Sequence, residues 1–482
     1  MSEEQSLKEK TAKGLFWGGF SNGIQQLLNL LFGIFLARLL SREDYGMIGM
    51  LSIFSLIAGS LQESGFTAAL TNKREVRHQD YNAVFWFSSA TGFTLYVVLF
   101  FCAPYIAKFY DNPALTPLAR YSFLGIFISS LGTAQSAYMF RNLMVKQKAV
   151  STLIGLTISG TIGVTMAYCG MAYWGYATQT IIYVFSVTCC YWYFSPWRPS
   201  IRINLKPLKG MIAFSSRLLI TNIFTNINNN ILSVILGKFY SEQDVGDFNQ
   251  ANKWNGMGYS VIYGMIREVA QPTLSSVTDD HERQKRVFRK MLRFTAFISF
   301  PALFGLSFIT PELITIAITS KWAVSAEILR ILCIGSAFLA IGNLYSNLII
   351  SKGKSNIYMW STIILGIVQV SMMLYCSSYG ISTLVKYYVC INIAWLAVWQ
   401  YFVWREIRLS VFQALKDVCP FAIIAGGSML AAHYCTCGIS NIYLLLAAKI
   451  IVAATLYTAA MWISGSVTFK ESVQFFFQKK KR

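Results

Sequence analysis

Apolar stretches of about 20 residues or more follow one another from Gly14 to Ile463, separated by short polar segments. Each is long enough to cross the roughly 30 Å hydrocarbon core of a bilayer as a helix. The pattern predicts fourteen such helices, over 14–40, 46–69, 82–109, 115–140, 149–169, 172–194, 210–238, 245–276, 294–318, 324–350, 356–377, 380–404, 413–434 and 441–463. The eighth, "DFNQANKWNGMGYSVIYGMIREVAQP", is polar for a spanning helix, and only "CGMAYWG" separates the fifth from the sixth. The N-terminal segment lacks the basic start, short apolar core and cleavage site of a signal peptide, so the first run is expected to stay as a span. The expected fold is an all-α polytopic membrane protein.

Polar residues inside these spans form stripes. Asn22, Gln25, Gln26 and Asn29 fall at i, i+3, i+4 and i+7, one face of a helix. Asn222, Thr225, Asn226, Asn229 and Ser233 repeat that face in the seventh span. Amides in hydrocarbon need a partner helix or water. The mirrored placement favours a polar cavity between two lobes over simple helix–helix bonding. In the eighth span Asn249, Lys253, Gly256, Ser260, Tyr263, Arg267 and Gln271 run down one face; the second span offers Ser52, Ser55, Gln62 and Glu63.

The mirrored stripes belong to an internal repeat. "SNGIQQLLNLLFGIFLARLLSREDYG" at 21–46 aligns without a gap with "TNIFTNINNNILSVILGKFYSEQDVG" at 221–246. Asn22, Asn29, Leu36, Ser41, Asp44 and Gly46 are matched by identical residues 200 positions later, and Arg38 stands against Lys238. A weaker echo pairs Lys146 and Lys148 with Lys352 and Lys354. Six spans separate the copies, so both have the same orientation, a parallel repeat about an axis along the membrane normal. This predicts two pseudo-twofold-related six-helix lobes, 1–205 and 206–410, with an appended helix pair and basic tail over 411–482. Asp44 and Asp244 are expected to cap the helices that follow them, and Arg38 and Lys238 to anchor the ends that precede.

Charge adds the orientation. The chain has 482 residues, 55% hydrophobic and 13% charged, with mean hydropathy +0.48. That charged fraction is about half of what soluble domains carry. The net charge is +20. Alternate loops and the two termini hold 29 of the 41 lysines and arginines, against 5 in the other loops. The positive-inside rule then puts both termini in the cytoplasm and supports an even number of spans. The basic surplus marks orientation and anionic-lipid contact, so no nucleic-acid partner is expected.

The cations left inside spans are the candidate chemistry. A central cation costs about 2.5–3.5 kcal/mol on insertion scales, so such residues face a bundle interior or a wet pathway. Arg120, Arg217, Lys253 and Arg267 are the candidate ligands of an anionic headgroup, since guanidinium and ammonium groups hold phosphate oxygens well. Arg330, Lys386 and Lys449 also lie within spans and can snorkel to an interface. Glu63 and Glu268 are candidate ion-coupling acids, with ion pairing as the plainer alternative. Most of the ten cysteines sit inside apolar runs, and His433, Cys435 and Cys437 match no zinc spacing. No GxxxxGK[ST] loop is present, so neither a metal nor a nucleotide cofactor is expected.

Several of these residues carry a family resemblance. "LARLLSREDYGMIGM", "GFTAALTNK", "YMFRNLMVKQKA" and "GKFYSEQDVGDFNQANKW" resemble the polysaccharide transporter family, which includes the Wzx-type flippases. That family lies within the multidrug/oligosaccharidyl-lipid/polysaccharide exporter superfamily. The likeness is nearest to its lipopolysaccharide, colanic acid and teichuronic acid exporter-like branch and covers nearly the whole chain. It implies a V-shaped pair of lobes in the inner membrane that flips a polyprenyl-diphosphate-linked oligosaccharide outward by alternating access. It also implies that cavity cations such as Arg267, Lys253 and Arg217 meet the pyrophosphate. Membrane lipid, and glycan polymerase or assembly proteins, are the other partners it brings, with a monomer as the expected state. Two alternatives stay open, a membrane polymerase or ligase of lipid-linked glycans and a drug or cation exporter. The short, cation-poor outer loops weigh against the first, and the cationic cavity residues against the second.

Overall fold

The computed structural model describes residues 3–63, 66–67, 70, 73, 75–275, 280–376 and 378–478; several side chains within its helices lie outside the described part, those of Arg217, Arg267 and Glu268 among them. Among the described residues, each predicted span coincides with helix over most of its length. The helices are α1 (Glu3–Leu39), α2 (Arg42–Glu63), α3 (His78–Phe109), α4 (Leu115–Ser122), α5 (Leu124–Ser130), α6 (Thr133–Arg141), α7 (Val145–Tyr168), α8 (Ala172–Phe194) and α9 (Lys209–Phe239). They continue with α10 (Glu242–Ser275), α11 (His281–Ile318), α12 (Ala323–Ser351), α13 (Ser355–Tyr375), α14 (Ile381–Ala394), α15 (Leu396–Ile407), α16 (Val411–Thr436), α17 (Ile442–Ile463) and α18 (Val467–Gln478). Among the described residues nine helices are long and apolar enough to cross a membrane, or ten with the broken fourth span, which bends by 43° between α5 and α6. The helices that fall short, α1, α8, α9 and α10, include those bearing the amide stripes. The chain is a multi-pass membrane protein.

Its contacts divide it at the second copy of the repeat, into Met1–Gly246 and Asp247–Arg482. α9 belongs with the first unit because it packs along α2. In that unit α7 and α8 form a tight hairpin. The face of α7 carries Gly155, Ser159, Gly160, Gly163 and Ala167, all buried, and small residues let helix backbones approach in lipid. A Cβ on Gly160 would fall 2.3 Å from the Phe32 ring of α1, and one on Gly163 2.7 Å from Gln179. The short linker "CGMAYWG" therefore reflects close packing of two complete helices.

The second unit is built on α11 and α12, with Phe288, Phe300, Leu303, Leu344 and Leu348 at its centre. The basic stretch before the ninth span, expected as a loop, is helical: it forms the first turns of α11, capped by Asp280, whose Oδ1 accepts from the Arg283 N–H at 2.9 Å. Helical spacing of Val287, Phe288, Met291 and Leu292 explains this, since Phe288 and Leu292 are buried in the unit's core and Val287 and Met291 pack against it. Arg289 on this extension makes a two-pronged bond to the buried Asp417 carboxylate of α16, at 2.6 and 3.0 Å. With the buried Lys449–Glu312 pair at 2.7 Å and the Tyr457 hydroxyl on the Phe297 carbonyl at 3.1 Å, it docks α16 and α17 onto α11.

The repeat is exact in its bounds: α1 ends at Leu39 and α2 starts at Arg42, while α9 ends at Phe239 and α10 starts at Glu242. Each turn closes by the same reciprocal cap. The Asp44 N–H donates to Ser41 Oγ at 3.2 Å and the Ser41 N–H to Asp44 Oδ2 at 2.8 Å; Ser241 and Asp244 do likewise at 3.2 Å each. The serine is the cap residue, and the aspartate expected in that role is its partner three positions on. The two turns meet face to face. A Cβ on Gly46 would stand 1.9 Å from the Glu242 carbonyl oxygen, and one on Gly246 1.9 Å from that of Arg42. This reciprocity is what a twofold relation produces. Lys238 pairs with Asp111 at 2.8 Å across the exposed rim of the same turn.

Candidate functional site

The break in the fourth span makes the polar site of the first unit. "SSLGTAQS", 129–136, crowds hydroxyls and glycine into the middle of an apolar helix. The helix stops at Ser130 and resumes at Thr133. Its freed carbonyls are met from α8: Trp192 Nε1 donates to the Leu131 oxygen at 2.8 Å, and Thr188 lies 3.5 Å from that of Ile128. Broken backbone at membrane depth is tolerated only where such partners or a water-filled cavity satisfy it.

A cavity of about 480 Å³ opens against this break, walled by α2, α5, α6, α8 and α9. Its floor is a hydrogen-bonded triad. Buried Gln62 donates from Nε2 to Thr133 Oγ1 at 2.7 Å and accepts from the Ser129 hydroxyl at 3.2 Å. Asn226 reaches over from α9 and donates to Ser60 Oγ at 2.8 Å. Tyr183 and Tyr191 of α8 form an aromatic side. Lys148 of α7 stands at this wall: its ammonium donates to Ser136 Oγ at 3.1 Å and lies 5.3 and 5.8 Å from the Phe140 and Tyr191 rings. Glu63, exposed, is among the lining residues. Among the described residues the charged groups here are thus one cation and one acid, within a surface that mixes hydroxyls, amides and phenols with the aliphatic side chains of Leu56, Val184 and Val187. Such a surface hydrogen-bonds sugar hydroxyls, and a single ammonium can take one phosphate charge.

The residues singled out from the sequence are distributed unevenly around this cavity. Gln62, Glu63 and Asn226 line it. Asn22, Gln26 and Asn29 of α1, and Asn222 and Asn229 of α9, are exposed; Gln25 is half-buried and bonds Ser21 within its own helix at 2.7 Å. Arg120 lies outside the lining: its Nε donates to the Phe100 carbonyl at 3.3 Å and its guanidinium covers the Phe100 ring at 4.4 Å. In the second unit Asn249 and Lys253 are half-buried and engaged with neighbours, and Tyr263 stacks on Tyr259 at 5.8 Å. The side chains of Arg217, Arg267 and Glu268 lie outside the described residues. Sequence reasoning missed Ser129, Thr133, Ser136, Lys148 and Tyr191. The run of small polar residues in the fourth span was the available signal. Lys148 was read as a loop charge because α7 starts a turn earlier than its apolar run.

Comparison with known proteins places the chain. The family model for "Polysaccharide biosynthesis protein" matches residues 35–327, more than half of it. The lipopolysaccharide biosynthesis protein WzxC of Escherichia coli (strain K12) is 23% identical over 359 residues, covering 73% of this chain and 72% of that protein. The teichuronic acid biosynthesis protein TuaB of Bacillus subtilis (strain 168) is 22% identical over 438 residues, covering 88% and 89%. Among solved structures, the lipid II flippase MurJ in an inward closed conformation superposes with a TM-score of 0.74 at 14% identity, covering 96% of this chain and 99% of that one. An inward-facing multidrug resistance MATE family transporter gives 0.63 at 17% identity, covering 80% and 94%. At such identities the structural likeness is one of fold, and the family rests on the sequence match. The match over 35–327 shows that the chain belongs to the polysaccharide biosynthesis protein family, and the superpositions show that it has the fold of the multidrug/oligosaccharidyl-lipid/polysaccharide exporter superfamily.

Proposed function

We propose that the protein is a flippase of the inner membrane, moving a polyprenyl-diphosphate-linked oligosaccharide, the repeat unit of a surface polysaccharide, from the inner to the outer leaflet by alternating access. The observation that carries this reading is the hydroxyl- and amide-lined cavity at the helix break of the first unit. A cavity of about 480 Å³ is sized for part of an oligosaccharide, and its hydroxyls and amides lie among aliphatic and aromatic surface of the kind on which sugar rings pack. Family membership supports it, as do the lipopolysaccharide and teichuronic acid named for the relatives. Glycan hydroxyls would bond Gln62, Thr133, Ser129 and Asn226, one phosphate charge would meet Lys148, and the polyprenyl chain would stay in lipid. Arg217, Lys253 and Arg267 remain candidates for the second phosphate charge, and Glu63 and Glu268 for ion coupling. The membrane potential supplies about 2.3 kcal/mol per elementary charge per 100 mV, and an inside-negative potential drives an anionic headgroup outward. Both termini are assigned to the cytoplasm on the distribution of loop charges.

The test is transbilayer movement of a fluorescent lipid-linked oligosaccharide in reconstituted vesicles. Lys148→Ala and Gln62→Ala should each slow it by about tenfold or more, the cost of one hydrogen bond to a charged group or a buried polar group left unpaired. Wild-type rates in both variants would sink the assignment of this cavity. Growth of a glycan chain on the lipid by the purified protein would indicate a polymerase instead.

A further inference from the structure

The segment between α8 and α9 reads "SPWRPSIRINLKPLK", and its middle alternates aliphatic and polar side chains: Ile201, Arg202, Ile203, Asn204, Leu205, Lys206. It is pinned to α3. The Ser200 N–H donates to Asn82 Oδ1 at 2.8 Å, Asn82 Nδ2 to the Arg202 carbonyl at 2.7 Å, and Trp86 Nε1 to the Ser200 carbonyl at 2.8 Å. Held this way, Ile201 is 90% exposed and Ile203 61%. Arg202, Lys206 and Lys209 are exposed beside them, whereas Arg198, also exposed, is engaged with the Ser195 and Trp197 carbonyls. Between this segment and α3 runs a groove of about 390 Å³, lined by Trp86, Phe87, Thr91 and Leu95 from the helix and Ile203 and Leu205 from the segment. From Trp86 to Leu95 it extends about 14 Å along α3 at 1.5 Å per residue. It begins at the basic end of the span and descends into its apolar part.

An exposed aliphatic set fastened by three part-buried hydrogen bonds and rimmed by cations is not an ordinary loop surface. We infer that this groove is a site for one anionic phospholipid of the cytoplasmic leaflet. An acyl chain lies along α3 between Trp86 and Leu95, and the phosphate is held by Arg202 and Lys206, with Lys209 adding attraction. Charge complementarity selects this occupant: a zwitterionic lipid would fill the same groove, but its own headgroup cation offsets its phosphate, so three protein cations favour a lipid of net negative charge. The site rests on the membrane reading of the chain and is independent of which glycan it carries.

Native mass spectrometry of the detergent-purified full chain tests this, with phosphatidylglycerol and phosphatidylcholine titrated separately. Phosphatidylglycerol should stay bound at activation energies that strip phosphatidylcholine. Arg202→Gln with Lys206→Gln should weaken phosphatidylglycerol by about tenfold or more, from the loss of two interfacial cations. Ala90→Trp, which fills the groove from α3, should abolish selective retention of the lipid. Both variants are to be compared at unchanged melting temperature, and the exposed Arg202/Lys206 pair alone is sufficient if Ala90→Trp is unstable. Equal retention of the two lipids, or unchanged phosphatidylglycerol affinity in the double variant, overturns the proposal. Binding of undecaprenyl phosphate without phosphatidylglycerol would assign the groove to the carrier lipid and overturn it equally.

Discussion

Alanine at Gly46 or Gly246 is expected to lower the melting temperature of the purified protein sharply and to abolish transport. In each case the new methyl would overlap a backbone carbonyl oxygen, that of Glu242 or Arg42, at 1.9 Å. Overpacking a well-filled site costs about 1–3 kcal/mol, and the upper end or beyond applies here because no flexible side chain can give way. The turn itself would have to move, taking with it the Ser41–Asp44 and Ser241–Asp244 caps and the bond from Asn112 Nδ2 to Glu242 Oε1 at 2.6 Å. Gly23→Ala is the internal control. It lies within α1 with nothing within 4 Å of its added methyl, and alanine is favoured over glycine in a helix by about 1 kcal/mol. Thermal unfolding in detergent reads all three; wild-type stability for both Gly46→Ala and Gly246→Ala would mean that the two turns do not touch.

Lys449→Met should cost about 3–5 kcal/mol of stability, because it strands the Glu312 carboxylate in the second unit. The two side chains are 8% and 11% exposed, 2.7 Å apart, so each charge depends on the other. Methionine keeps the aliphatic length that lies against Phe308, whose ring centre is 4.7 Å from the ammonium, and so isolates the loss of charge from the loss of volume. Replacing both partners, Glu312→Leu with Lys449→Met, should recover most of the loss, since a buried pair exchanged for apolar residues is often neutral. The non-additivity, read as a double-mutant cycle in thermal unfolding, distinguishes this pair from an exposed one. Simple additivity would show that Lys449 reaches water, as its expected snorkelling would require.

Most of the helices were legible because hydrocarbon leaves a chain little choice. An apolar run of about 20 residues must satisfy its backbone internally, and the helix does so locally. The errors are local too. The ninth span was placed from 294, yet α11 starts at His281, because Phe288 and Leu292 sit at helical spacing and find the core of the second unit even though the run around them is basic. The same misjudgement affected Lys148, assigned to a loop by its charge and brought to Ser136 at the cavity wall by the first turn of α7. Of the polar residues picked from periodicity, Gln62 and Asn226 reach the cavity, while Asn22 and Asn229 are exposed. Periodicity identifies which residues share a face, but the neighbour on that face depends on how the helix is rotated in the bundle.

What the sequence by itself determined about this protein is whatever follows from nearest neighbours along the chain and from water against lipid. That covers the all-helical membrane class and, through the 200-residue offset, the paired turns whose bounds recur residue for residue. Only the tertiary structure decided how those turns close, serine capping with aspartate returning the bond, and that their glycines meet. It also decided that the fourth span breaks at Gly132, and that Gln62, Ser129, Thr133 and Asn226 converge on one cavity from four helices, with Lys148 bonded to Ser136 of its wall. The reason is physical: these residues lie up to 166 positions apart for a single bond, Asn226 to Ser60, and only packing brings such pairs within hydrogen-bond reach.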